Sequence, residues 1–590
     1  MVSIEANQTI LPAKKFDLVG WVSRNILLIV VTAIIASMVV VPVGRLIISS
    51  FQEGHPAFPD GWTLQNYSYA LSQPNFVETL GRTFWIAAVG TALSLVWAVG
   101  MAFLVERTDM PLRNLAWAII IIPMAMPGIL FAMGWALLLS PNSGALNVVL
   151  RAVLSPLGYT SNVGPINIFS ISGLIFLDSI RGVTTIFLMV VGSFRMMDPT
   201  LEEAAMVSKA SRLQTFTKIT LPALMPAILA AGMYSFILSM ESFEAALAVG
   251  LPGGVFVLST MIYFTTRVQA PIDYGLAAVY GVLFMLLMIG LLYVYRRMIR
   301  HSERFTTVTG KGFRPRVISI GRWRYAALAA VGFYFLISTA LPFAILLWTS
   351  LLPSYRAPSF EALNLVSLQN FAKVFTSPEL IETVWNTLVL MLLTATATMV
   401  LAFVASWLIV RKHGSAVVTG SLDFMVFMPL AVPGIVVATA LMVAFLTPPL
   451  SFTGIYGTIW IVALGLAISY LPFCTRLMNG AIVQIHKELE QAAYVSGATV
   501  FQAMIRITLP LLFPAFAAGW IWVAVHTLRA FAIPLMLSSR DNKVFAVFLW
   551  ENWEQYAPNA AAMGVVLIIA LIPLTLLLRR FISQLSRQQG

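Results

Sequence analysis

Apolar runs of about twenty residues recur along the chain, separated by short polar segments. About 20 apolar residues cross the hydrocarbon core as a helix, whereas spanning strands would need alternating stretches of roughly ten, a pattern this chain lacks. Spans are expected at 26–49, 84–105, 115–139, 169–194, 223–249 and 276–295, then at 325–350, 385–410, 422–446, 457–482, 511–537 and 560–578. The basic lead Lys14, Lys15 and Arg24 before IVVTAIIASM has the form of a signal peptide. However, VVVPVGRLIISSF around Pro42 aligns with TALPFAILLWTSL around Pro342, so the first run is expected to be retained as one of a repeated set.

The repeat extends further. NYSYALSQPNFVETLGRT (66–83) parallels NFAKVFTSPELIETVWNT (370–387), and PMAMPG (123–128) parallels PLAVPG (429–434). With six spans in each half, both halves enter the membrane from the same side, as parallel repeats about an axis along the membrane normal. The expected fold is an all-α polytopic membrane protein of about twelve transmembrane helices in two parallel six-helix repeats. The first half takes residues 1–295, a basic cytoplasmic linker 296–324, and the second half 325–590. The first half is longer by 18 residues in its third outside loop, which is rich in Gly, Pro, Ser and Asn.

Two polar decapeptides, LEEAAMVSKA (201–210) and LEQAAYVSGA (489–498), lie 288 positions apart. Across 201–222 and 489–510 the copies agree at 12 of 22 positions. Asp198 can cap a helix opening at Pro199. Glu202 and Glu203 suit the positive end of that helix, and Gly497 in the second copy fits a left-handed stop. A second short helix then leads into ITLP, giving a helix, a turn and a helix parallel to the membrane. The plain alternative is a connector, but a connector does not require the same flat, small-residue surface twice. Two equivalent surfaces in water imply two copies of a partner.

Composition agrees with membrane residence: the 590-residue chain has a mean hydropathy of +0.88 and only 10% charged residues, against roughly 25% in soluble domains. The net charge of +12 is best accommodated with both termini inside, because Lys and Arg gather in cytoplasmic loops. The densest group, Arg296 to Arg324, falls in the linker, where anionic headgroups rather than nucleic acid account for it. Cys474 is the only cysteine, so disulfides within the chain are excluded. No phosphate-binding G-x-x-x-x-G-K-[ST] occurs; TGKGF (309–313) lacks the glycine spacing and the hydroxyl residue. No His pair, Cys cluster or Ser-His-Asp set points to a metal or to catalysis, so the chain is expected to be no enzyme and to hold no cofactor.

Charges inside spans are expensive and face inward or find partners. They are Asp178, Arg181, Glu241, Glu244, Arg476 and Arg529. Asp178 and Arg181, three apart on one helix face, are expected to pair, and Arg476 to reach the headgroups. Glu241 and Arg529 share the 288-residue offset, so the repeat relates an acid to a base. With Glu244 they are expected to flank a central cavity, either pairing across it or meeting a charged solute. Pro127, Gly128, Pro433 and Gly434 interrupt spans three and nine, as packing kinks or as pathway lining.

The pattern E-A-A, three residues, G, nine residues, I-x-L-P resembles the coupling-loop motif of permeases in ATP-binding-cassette importers, here EAAMVSKA…ITLP and QAAYVSGA…ITLP. The likeness is greatest to the fused two-half branch associated with iron(III), thiamine, polyamines or aminoalkylphosphonates. It implies the type I importer permease fold in a bacterial inner membrane, with two copies of a separate ATPase that binds ATP and Mg, and an extracytoplasmic solute-binding protein. By resemblance, the loops are 196–222 and 484–510. Their docking residues would be Glu202, Glu203, Ala204, Ala205, Lys209 and Leu221, and Glu490, Ala492, Ala493, Gly497 and Leu509. Lys209 stands where glycine is usual and Gln491 replaces the second glutamate. A side chain in a left-handed conformation costs on the order of 1 kcal/mol, which leaves room for two unequal turns. The alternative reading is an ion-gradient-coupled carrier using Glu241 or Glu244 as the coupling acid.

Overall fold

The computed structural model describes residues 18–197, 205, 207–302, 318–412 and 414–588. Among these, nine helices are long and apolar enough to cross a membrane, and three sharply bent pairs raise the count to at most twelve. The first half runs through α1 (Leu18–Ser50), α2 (Pro74–Arg107), α3 (Arg113–Ile121), α4 (Gly128–Leu139), α5 (Ala145–Leu154), α6 (Ile171–Met196), α7 (Leu221–Met240) and α8 (Tyr274–Ser302). The second runs through α9 (Trp323–Phe335), α10 (Leu341–Ser350), α11 (Pro378–Arg411), α12 (Ala416–Phe427), α13 (Gly434–Leu446), α14 (Ile459–Val483), α15 (Leu509–Arg529) and α16 (Ala557–Gln588). Both α2 and α11 open on proline, where a missing N–H costs nothing. Every residue of α4 is buried, and α13 is nearly as enclosed. A helix apolar on all sides belongs in the centre of a bundle, and these two form it.

The aligned segments make the same tertiary hydrogen bonds. Asn66 Nδ2 donates to the carbonyls of Ser50 (3.2 Å) and Gln52 (2.8 Å), and Asn370 Nδ2 to those of Ser350 (2.9 Å) and Leu352 (2.7 Å). Thr83 Oγ1 accepts the Leu258 N–H at 3.0 Å, as Thr387 Oγ1 accepts that of Phe545 at 2.8 Å.

Each half's leading helix wraps the other half. Helix α1 packs on α12 and α13, and α9 and α10 pack on α3 and α4. The ends are clamped by polar contacts. Asn25 Oδ1 accepts the Ser415 N–H at 2.9 Å, and Asp109 accepts the Ile320 N–H and the Ser319 hydroxyl, both at 2.8 Å. Backbone hydrogen bonds from Ile318 N to Arg107 O (2.7 Å) and Asp109 N to Ile318 O (3.0 Å) complete the second clamp.

Four expected spans are corrected. Spans 115–139 and 422–446 are bent pairs rather than single helices, with angles of 95° and 112°. Pro123 and Pro127 each remove a backbone donor, the chain tightens into a 3-10 turn over Ile122–Ala125, and Pro127 is extended at ψ 139°. Met428–Ala431 and Pro433 repeat this. Span 223–249 ends at Met240, where Glu241 closes α7, and a bent pair, Ala246–Gly253 and Leu258–Val268, folds back at 81°. Span 511–537 likewise ends at Arg529, and Ala532–Leu537 is a separate helix.

The loop that lengthens the first half is ordered. It contains α5 and is gathered around buried Asn147, whose Nδ2 donates to the Leu139, Ser140 and Ile166 carbonyls at 3.1, 3.0 and 2.7 Å. A hairpin, β1 (Gln52–His55) with β2 (Phe58–Trp62), follows α1.

Candidate functional site

The described parts of the two loops share one geometry. In the first, the Ala210 N–H donates to the Ala205 carbonyl at 3.0 Å across a left-handed Lys209 (φ +61°); in the second, Ala498 donates to Ala493 at 2.9 Å across Gly497 (φ +86°). This six-residue closure with a left-handed residue before its end is the Schellman stop. A reciprocal capping box opens the next helix in both copies. Ser211 N and Gln214 Oε1 are 2.9 Å apart and Gln214 N and Ser211 Oγ 3.2 Å; Thr499 and Gln502 repeat both distances. Each second helix passes through a π-helical turn, Phe216–Thr220 or Met504–Thr508, before the Leu-Pro that opens α7 or α15. Lys209 therefore takes the turn that Gly497 takes, despite its side chain.

Residues 198–204, with Asp198, Pro199, Glu202, Glu203 and Ala204, lie outside the described residues. Ala205 is buried, Ala492 and Gly497 are exposed, and Ala493 is half-buried. Among the described residues of the loops, the most exposed apolar side chains are at equivalent positions, Val207 (84%) and Val495 (90%). Sequence reasoning passed over both, although they are among the matched letters.

Glu490 is not on this surface. It is 4% exposed. Its Oε1 accepts from Thr508 Oγ1 (2.8 Å), Arg411 Nε (3.0 Å) and Trp407 Nε1 (3.3 Å), tying the loop to α11 and to the start of α15. Arg411 also donates to the Ile485 carbonyl at 3.1 Å. Leu221 and Leu509 are half-buried and pack against the core. Proximity to α11 makes Glu490 an anchor of its ledge.

The charged residues meet between the halves. A cavity of about 380 Å³ is lined by Asp178, Arg181, Glu241 and Glu244 from the first half and Gly434, Ile435 and Ala532 from the second. A smaller one, about 120 Å³, is lined by Met126, Arg181, Thr184, Thr185, Ser338 and Arg529. Arg181 does not pair with Asp178. Its Nη1 lies 2.9 Å from Glu244 Oε2, while Asp178 Oδ2 accepts the Ser239 hydroxyl at 2.6 Å. A neighbouring helix offers each a better-directed partner than the same helix face does. Glu241 and Arg529 do not pair with each other, and Arg529 Nε is buried without a hydrogen-bond partner. Arg476 lies over the Phe427 ring, 5.2 Å from its centroid.

Pro127 and Pro433 cap α4 and α13, and Gly128 and Gly434 are the first helical residues. A Cβ on Gly128 would land on both Glu244 Oε2 and Arg181 Nη1, whereas one on Gly434 would meet nothing nearer than Ile533, at 3.8 Å. Glu244 thus rests at the positive end of α4. Among the described residues, no group of three or more His, Cys, Asp or Glu is placed to hold a metal ion.

The profile of the family described as binding-protein-dependent transport system inner membrane component matches residues 402–589. The chain is 23% identical to a putative ferric transport system permease protein, FbpB 1, of Haemophilus influenzae over 88% of this chain and 79% of that one. It is 22% identical to the ferric transport system permease protein FbpB of Actinobacillus pleuropneumoniae over 93% and 77%. Among solved structures, a chain of the bacterial alginate ABC transporter in complex with its alginate pentasaccharide-bound periplasmic protein aligns with a TM-score of 0.35 and 22% identity, covering 44% of this chain and 94% of that one. With nine to twelve candidate spans among the described residues, a matched pair of loops and relatives aligned over most of its length, the chain resembles the fused two-half permeases of ATP-binding-cassette importers, and its residues 402–589 match the binding-protein-dependent transport family.

Proposed function

We propose that this chain is the membrane subunit of an ATP-driven, binding-protein-dependent importer of a small solute, with both termini cytoplasmic. Residues 1–295 and 325–590 form the two halves and 296–324 the linker. One copy of a separate ATPase, which binds ATP and Mg, docks on each of the loops 196–222 and 484–510. An extracytoplasmic protein delivers the solute to the opposite face.

The observation that carries this reading is the matched turn and capping box that follow Val207 in one loop and Val495 in the other, the two valines being exposed at equivalent positions. Two equal apolar contacts at matched positions suit two copies of one partner. The contact then centres on Val207 with Lys209 and on Val495 with Ala492 and Gly497, and Glu490 holds its ledge in place from behind. The names of the relatives support iron(III) as the first solute to try. The larger cavity, with three carboxylates against one guanidinium, favours a cation over an anion.

The test is reconstitution with a candidate ATPase and a candidate solute-binding protein of a ferric transport system. ATP hydrolysis should rise on adding the binding protein, and uptake of iron(III) should require ATP. Val207→Asp with Val495→Asp should release the ATPase. Uptake driven by a proton or sodium gradient without nucleotide would overturn the reading and make Glu241 or Glu244 a coupling acid.

A further inference from the structure

We infer that the Arg181–Glu244 ion pair is the barrier between two chambers of the solute route, and that bare Gly128 is what lets it close; this rests on the permease reading above. Arg181 and Thr185 line both cavities, so the guanidinium is their common wall. On one side stand Asp178, Glu241 and Glu244; on the other stands Arg529. The pair spans α6 and the turn after α7, and it lies directly over the first residue of α4. Any side chain at position 128 would occupy the place of the two interacting atoms.

The pair has the character of a latch rather than a staple. Its side chains are 39% and 20% exposed, whereas those of Arg411 and Glu490 are 6% and 5% exposed. Water can therefore replace either partner, and a solute cation the guanidinium, at little cost, since a hydrated ion pair is weak. Turning Arg181 aside joins the chambers and leaves the Glu244 carboxylate facing the one that Asp178 and Glu241 line. The second half builds no such stop. The repeat places Ser469 and Ala532 opposite Arg181 and Glu244, and a Cβ on Gly434 would meet only Ile533, at van der Waals distance. The barrier is one-sided in a two-sided fold.

The test uses the full chain in membrane vesicles of either orientation, with Cys474→Ser removing the native thiol. Ser338→Cys then places one reporter in the smaller chamber. The measurement is its rate of modification by 2-(trimethylammonium)ethyl methanethiosulfonate. The rate should rise several-fold in Gly128→Ala, whose methyl must displace the pair, and in Glu244→Gln. It should change far less in Gly434→Ala, and return toward the starting value in Arg181→Glu with Glu244→Arg. Equal rates for Gly128→Ala and Gly434→Ala, or an unchanged rate in Glu244→Gln, would overturn the proposal. If Gly128→Ala does not accumulate, Glu244→Gln and the reversed pair decide alone. Failure of the permease reading would show elsewhere, as absence of ATP-driven uptake by the unsubstituted chain.

Discussion

Replacing Glu490 by alanine should loosen the bundle rather than strip a docking surface. Its Oε1 gathers three donors in a site where the Glu490 and Arg411 side chains are 5% and 6% exposed. Removing the carboxylate leaves the Arg411 guanidinium buried with the Ile485 carbonyl as a remaining partner. Breaking a buried ion pair from one side costs about 3–5 kcal/mol, because the other charge is left uncompensated. Glu490→Gln keeps an acceptor of the same shape and loses the charge, so its cost should be nearer the ~1.5–3 kcal/mol of one hydrogen bond to a charged group. Removing both charges, in Arg411→Met with Glu490→Leu, should recover most of the loss, because apolar replacements of similar volume are often neutral in such sites. Thermal unfolding of the detergent-solubilised chain reads all of these. The expected order of midpoints is wild type and double variant highest, then Glu490→Gln, then Glu490→Ala. Val495→Asp should leave the midpoint in place while losing the partner. A midpoint for Glu490→Ala equal to wild type, or a double variant as unstable as the alanine, would refute the anchoring role.

Other outcomes follow from the same geometry. Lys209→Gly should stabilise the first ledge by about 1 kcal/mol and Gly497→Ala should destabilise the second by a similar amount, read as hydrogen exchange at the Ala210 and Ala498 amides. Asn370→Ala should lower the unfolding midpoint, since the Ser350 and Leu352 carbonyls lose a buried donor worth about 1–3 kcal/mol; Asn66→Ala should do the same in the first half. The Ile320 N–H, and after it the Ser319 hydroxyl, hold the Asp109 carboxyl below its ordinary value. A depressed carboxylate contributes stability above its unfolded pKa and loses it as pH falls through the folded value. Exchange at the Ile320 amide, corrected for its intrinsic rate, should therefore accelerate only in acid, and in Asp109→Ala it should be fast throughout.

What could be read from the letters was local or repeated. The apolar runs located the helices, and the matched Asn66 and Asn370 turned out to make matched hydrogen bonds. The prolines of PMAMPG and PLAVPG announced interruptions, but the angles of 95° and 112° depend on which helices each segment meets. Span five was overextended because ALAVG, apolar itself, follows the break at Glu241. Lys209 suggested an unequal turn. The closing hydrogen bond to Ala205 on one side and the Ser211 capping box on the other fix the backbone regardless of that side chain. Long-range partners were not legible. Spacing offered Arg181 to Asp178, yet Ser239 and Glu244 arrive from around α7 and take one each. Glu490 sat in a polar decapeptide and looked exposed; Trp407 and Arg411, 83 and 79 positions away, bury it.

The contrast between ledges and cavity has a physical reason. On the proposed reading two copies of one partner meet the same surface, which accounts for the same stop, the same capping box and an exposed valine in both loops. A solute crossing near the pseudo-twofold axis meets one cavity, and there strict repetition would set like charges against each other. Two carboxylates at positions 241 and 529 would repel in a medium of low dielectric, and one would have to take up a proton. Here the counterparts of Asp178, Arg181, Glu241 and Glu244 are Leu466, Ser469, Arg529 and Ala532. Three charges are removed and one is reversed, so the repeat leaves no like charge facing its own image. Duplication thus fixes the scaffold, while the electrostatics of a shared cavity push its two walls apart in sequence.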